Sequence, residues 1–145
     1  MTFTADISKF IEITKRNTNK FARTFVEILV ENVDELSPVG DPSLWLRGYA
    51  SAGYEPGHYR RNNQVQIGSF PDDVKAGVDP DGSTAINENN LVISAIKAGD
   101  IVFVGNPVIY AGMIEAGWSS QAPLGVYNIA IAEYKSYMQQ AAARI

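Results

Sequence analysis

An α+β fold is predicted for this 145-residue chain, with long N- and C-terminal helices packed on a small, mainly antiparallel sheet and shorter helices between them. Three observations predict it. Apolar residues recur at three- and four-residue spacing near both ends of the chain, two short central runs have strand character, and a Pro- and Gly-rich stretch divides the first long helix from the first strand. The expected organisation is a single domain over 1–145. It comprises a long helix over 1–33, a loop-rich region with a strand over 38–82, and then helix, strand, helix and C-terminal helix over 83–145.

From Asp6 to about Val33, the residues Ile7, Phe10, Ile11, Thr14, Phe21, Phe25, Ile28 and Leu29 form one stripe, with Lys9, Arg16, Lys20 and Arg23 opposite. Thr4 or Asp6 can begin this helix, because a short oxygen side chain satisfies a free N–H and an acid favours the positive helix end. Ser37-Pro38 sets its latest end. Pro38, Pro42 and Pro56, with Gly40, Gly48, Gly53 and Gly57, then interrupt any long element, leaving a loop with one short helical turn around Leu44–Arg47. Gln64–Phe70 alternates polar and apolar residues and reads as a half-buried strand.

Residues 71–82 hold two Pro, two Gly and four Asp, a turn-rich loop. Ser83 is expected to cap a helix of about three turns carrying Ala85, Ile86, Leu91, Val92, Ile93 and Ile96, closed by Gly99. Ile101–Val104 reads as a strand buried on both faces, and Val108–Ala116 as a short helix ending at Gly117. From about Ala122 a second long helix should run towards Arg144. Pro123 would lie in its first turn, with Val126, Ile129, Ala130, Tyr134, Tyr137, Met138 and Ala141 on one stripe.

Composition bounds the chemistry. A chain of this length can bury roughly 68–70% of its unfolded surface, and its 46% apolar content suits a globular domain. With no cysteine, disulfides, thiolate metal sites and Cys nucleophiles are excluded. The N-terminal residues lack the apolar run of a signal peptide, and no stretch approaches the about 20 apolar residues of a membrane helix, so a soluble protein made in the cytoplasm is expected. The net charge of −4 is uneven: residues 1–25 carry five bases against two acids, and the remainder seven bases against fourteen acids. A +3 helix on a −7 body suits association between like subunits, or simply a solvated helix face.

Candidate sites compete with plainer readings. Asp79-Pro80-Asp81-Gly82, with Glu88, imitates part of a calcium loop, but Gly77 stands where the first carboxylate belongs; an acidic turn before a capped helix is the favoured reading. His58 is the sole histidine, so a multi-histidine metal site is impossible. Its surroundings, His58-Tyr59-Arg60-Arg61-Asn62-Asn63, could touch phosphate or stack on a base, yet two arginines are a small patch in an acidic protein, and a subunit interface is favoured. Glu115 has no partnered acid or base for catalysis. It pairs either with a base across an interface or within the chain, and Trp118 either fills a neighbour's pocket or joins the core. Phosphate loops, nucleophile elbows and zinc-protease motifs are missing, so neither an enzyme nor a cofactor or metal site is expected.

The segment from Asn106-Pro107 through Tyr110-Ala111, Ile114-Glu115, Gly117, Ser119, Gln121-Ala122-Pro123 and Gly125 resembles a signature of the neck and tail-completion proteins of tailed bacteriophages (HK97 gp10-like). Ser37–Trp45 and Gly53–Gln64 are similar to two further segments of that family, with Asn63 standing where the family often carries Trp, which leaves the packing there open. The likeness spans about Pro38 to Gly125. It implies a structural virion protein that forms a ring of six subunits at the head–tail junction, joins tail to head and lines the DNA passage. The tail terminator capping the tail tube is the nearest alternative, and a small nucleic-acid-binding module is the alternative of another class. Implied partners are further copies of the chain, connector or head-closure proteins, and tail terminator or tail-tube proteins. Double-stranded DNA would pass without specific binding, no membrane would be involved, and the protein would reside in the virion after assembly in the host cytoplasm. Candidate interface residues are Lys9, Arg16, Lys20, Arg23, Trp45, Tyr59, Arg60, Arg61, Tyr110, Glu115, Trp118 and Gln121.

Overall fold

The structure, a computed structural model, describes residues 3–145, with side chains from Ile7 onward. Helix α1 (Phe3–Leu36) runs past the expected end at Val33. Thr4 and Asp6 therefore lie inside the helix and do not begin it, and their side chains fall outside the described residues. At the other end Ser37 donates from its hydroxyl to the Val33 carbonyl, and Pro38 stops the helix. Thirty-four residues extend about 51 Å, whereas a compact domain of this length is only roughly 40 Å across. Such a helix cannot be covered along its whole length, and it is not.

The C-terminal half of α1 is the axis of the fold. Val26 and Val30 pack with Val65, Ile93 and Ile96. Ile28 meets Tyr137 and Ala141, and Val33 joins the main core of Trp45, Tyr59, Val108, Tyr110, Ile114, Ala122, Val126 and Ala130. Strands β1 (Gln64–Ile67) and β2 (Val102–Gly105) form one antiparallel pair, in which Val65 faces Val104 and Gln66 faces Phe103. The first strand is thus shorter than expected. The second is not buried on both faces, since Val102, Phe103 and Val104 are half-buried and Ile101 is exposed. A two-stranded sheet lacks the neighbouring strands and second covering layer that would enclose it.

Between α1 and β1 a 3₁₀ turn occupies Pro42–Leu44, just ahead of the expected turn, where Asp41 accepts from the Ser43 N–H. Helix α2 (His58–Arg61) forms where a loop was expected. Helix α3 (Ser83–Ile93) is capped by neighbouring acids, not by Ser83: the Asp79 carboxylate accepts from the Thr84 and Ala85 N–H groups, and Asp81 from that of Ser83. It ends at Ile93, before Gly99, and Leu91 on its outer side is exposed.

Helix α4 (Ala111–Glu115) is shorter than the Val108–Ala116 span. The expected long C-terminal helix is two helices, α5 (Tyr127–Ala132) and α6 (Tyr134–Ala143), interrupted at Glu133. Pro123 precedes the first of them by a turn. Both pack on α1, but through Val126, Ala130, Tyr137 and Ala141; Tyr134 and Met138 of the expected stripe are exposed. The break lets α5 follow the main core while α6 turns onto Ile28. Among the described residues no helix is long and apolar enough to cross a membrane.

Candidate functional site

The segments that carry the family resemblance converge. Trp45, Tyr59, Tyr110, Ile114 and Ala122 sit in one core. Tyr54 and Tyr110 meet edge to face with ring centres 5.4 Å apart, and Trp45 meets Tyr54 the same way at 5.3 Å. A bridge pairs Trp45 with Ser119, and Leu46 donates to the Trp118 carbonyl. Gln121 reaches back to accept from the Gly40 N–H at 2.6 Å.

Asn63 is the centre of a buried polar network. Its amide nitrogen donates to Asp34 Oδ1 and Ser37 Oγ, both at 2.8 Å, and its amide oxygen accepts from Asn106 at 3.0 Å and the Tyr127 hydroxyl at 2.8 Å. Both donors and both acceptor sites of the side chain are filled. Asn106 also donates to the Tyr59 carbonyl, and Asn89 links the Asn63 carbonyl to the Val65 N–H. Four separate parts of the chain, α1, the α2–β1 junction, the stretch after β2, and α5, are thereby fixed to one amide. Beside it Asn62 accepts from the Lys75 N–H and donates to its carbonyl, and Gln64 donates to the Asp73 carbonyl, which holds the 71–82 loop in place. Burial pushes the Asp34 carboxyl up to about 7, with the Asn63 hydrogen bond and Arg60 opposing. Its second oxygen, Oδ2, has no partner among the described residues.

Glu115 fits neither expected role. Its carboxylate accepts from the N–H groups of Val126 at 2.9 Å, Tyr127 at 2.7 Å and Asn128 at 3.3 Å, so it caps α5 from eleven residues upstream. Close packing there demands glycine: a Cβ on Gly125 would lie 2.7 Å from the Glu115 carboxylate, and one on Gly117, at φ 86°, would collide with the Pro123 carbonyl.

The remaining candidates divide by burial. Trp45, Tyr59 and Tyr110 are core residues and cannot reach a neighbour, because each is enclosed by this chain's own helices and loops. Arg60 is spent on the Pro80 and Ser37 carbonyls, and Arg61 on a two-pronged pair with Glu88 that Lys75 shares. The basic, aromatic run that could have met phosphate is thus turned inward. Arg23 donates to the Ile96 carbonyl. Lys9, Arg16 and Lys20 are exposed, and Trp118 is 39% exposed beside the Arg47 guanidinium, 5.3 Å from its ring centre. The sequence pattern marked Trp118 but missed Arg47, which also lies 4.3 Å over Tyr49.

The N-terminal half of α1 is left uncovered by the other described residues. Ile7, Phe10, Ile11 and Ile13 are exposed, Phe10 at 70%, and this half contributes nothing to the three core clusters. Its apolar stripe is the continuation of the one that, past Phe21, forms the core. No family model matches the chain, nor does any curated protein or solved structure.

Proposed function

We propose that this chain is a structural assembly protein of a tailed bacteriophage virion, a self-associating ring subunit of the neck or tail-completion kind. The observation that carries the self-association is the N-terminal half of α1, an amphipathic helix whose apolar stripe has nothing to cover it among the described residues. Covering Phe10 and the isoleucines beside it would contribute about 1.5–3 kcal/mol for each fully buried side chain. Association costs about 4–15 kcal/mol, so apolar burial is of the right size but leaves room for a second attraction. The virion assignment rests on the resemblance of Ser37–Trp45, Gly53–Gln64 and Asn106–Gly125. Its support is that those three segments, distant in sequence, form one packed unit around Trp45, Tyr59 and Tyr110.

The inward commitments of Arg60 and Arg61 weigh against a nucleic-acid-binding module, because they remove two of the bases such a module would use. Electron microscopy of phage particles containing the labelled chain tests the assignment. Density for a ring between portal and tail tube is the expected outcome; density capping the tube alone selects the tail terminator, and particles without the chain overturn the reading.

A further inference from the structure

Helix α1 is richer in bases in its N-terminal half and in acids at its C-terminal end. Lys9, Lys15, Arg16 and Lys20 occupy the half nearer the positive end, while Glu31, Asp34 and Glu35 occupy the last turns, where no base is present. Acids in the last turn oppose the helix dipole, so their placement costs the isolated helix and calls for another use. At the acidic end Glu31, Asp34 and Glu35 line a depression of about 430 Å³ with Asp81, Arg60 and Ile86. Arg60 is tied to two backbone carbonyls, and none of the four acids belongs to a salt bridge among the described residues. Arg144 lies near enough to Glu31 to offset its charge in part. Asp34 is only 4% exposed, and its Oδ2 is without a partner. Glu31, Glu35 and Asp81 therefore give the depression a negative edge, beside Ile86, that the one guanidinium of Arg60 offsets only in part; the buried Asp34 carboxyl keeps its proton up to about 7 and adds little to that charge.

We propose that this depression seats the basic N-terminal half of α1 from a second copy of the chain, so that copies join head to tail. Charge complementarity selects this occupant. A half laid on the acidic end brings Lys9, Arg16 and Lys20, spaced along one face, to Glu31 and Glu35, whereas two halves zipped through their apolar stripes would leave those bases, which lie opposite the stripe, without acidic partners. A head-to-tail contact is also the heterologous kind that closes rings. The inference rests on the self-association in the proposed function and is independent of where in a particle the assembly sits.

Charge reversal tests it in the full chain by sedimentation over a concentration series. One variant combines Lys9→Glu, Arg16→Glu and Lys20→Glu; another combines Glu31→Lys and Glu35→Lys; a third carries all five. Exposed charges on a helix contribute little to its stability, so each monomer should keep its helix content and unfolding midpoint. The wild type should associate, less so at high salt. Each partial reversal should weaken association about tenfold or more, and the full reversal should restore it to within about threefold. A wild type that stays monomeric at low salt, an unaffected partial reversal, or a full reversal that fails to rescue would overturn the seat. If assembly survives the partial reversals while particles retain a ring, only this contact falls. If the charge swap rescues association but particles hold no ring, the contact stands and the virion reading falls.

Discussion

The two halves of α1 share one amphipathic pattern and meet opposite fates. Past Phe21 the stripe is enclosed by the sheet, α3, α5 and α6, and Ile28 and Val33 are buried; before Phe21 the same spacing leaves Phe10 and Ile11 in the open. Hydrophobic periodicity therefore reports that a helix forms and which face seeks cover. It does not report what provides the cover, because that depends on how far the rest of the chain can reach. In this protein the rest of the chain is spent on one end, and the contrast makes the C-terminal half an element of folding and leaves the N-terminal half as the surface proposed above for assembly.

Substitutions should separate the two halves by what they damage. The largest loss of stability is expected at Gly117→Val, remote from the exposed half, where a branched side chain at positive φ collides with the Pro123 carbonyl. Unfolding in denaturant should show a loss on the order of 3–5 kcal/mol or no folded protein at all. A fully stable variant would mean that the loop before α5 moves freely. Next comes Asn63→Leu, which strips partners from Asp34, Ser37, Asn106 and Tyr127 together. A loss of about 2–4 kcal/mol is expected, because those groups stay buried without hydrogen bonds.

Asp34 adds a pH dependence to the folded half. Its folded-state pKa of about 7 lies above its ordinary 3.8, so the folded chain keeps a proton that the unfolded chain releases across that window. Stability should be greatest below the lower value, fall as the pH rises through the window, and level off above it, by on the order of 2–4 kcal/mol in all. Asp34→Asn should flatten this slope in denaturant titrations at several pH values; a slope that survives the substitution would assign it to another group. The smallest effect on stability belongs to Phe10→Ser combined with Ile11→Ser, which should change monomer unfolding by no more than about 0.5 kcal/mol while reducing association in sedimentation. A monomer destabilised well beyond that would show that the stripe is covered within the chain after all.

Local signals predicted the features that local physics decides. The period of α1, the two short strands, the stop at Ser37-Pro38 and the turn at Gly117 were legible because each depends on residues within a few positions. Long-range satisfaction was not. Glu115 reads as the partner of a base until the N–H groups of α5 are seen to converge on it, and Asn63 reads as a loop residue although it joins four parts of the chain. The aromatic residues Trp45, Tyr59 and Tyr110 suggested an interface, since aromatic anchors serve interfaces and cores alike and composition does not distinguish them. The break at Glu133 has no sequence marker, neither Pro nor Gly; it follows from α5 and α6 serving different parts of the core.

Amide hydrogen exchange along α1, measured in dilute monomer and again under associating conditions, tests most directly the claim that the helix is divided between folding and assembly. Amides of residues 26–36 should be strongly protected in both, whereas those of residues 7–15 should exchange rapidly in the monomer and become protected only on association. Equal protection of both halves in the dilute monomer, or an N-terminal half whose exchange does not change when copies associate, would contradict it.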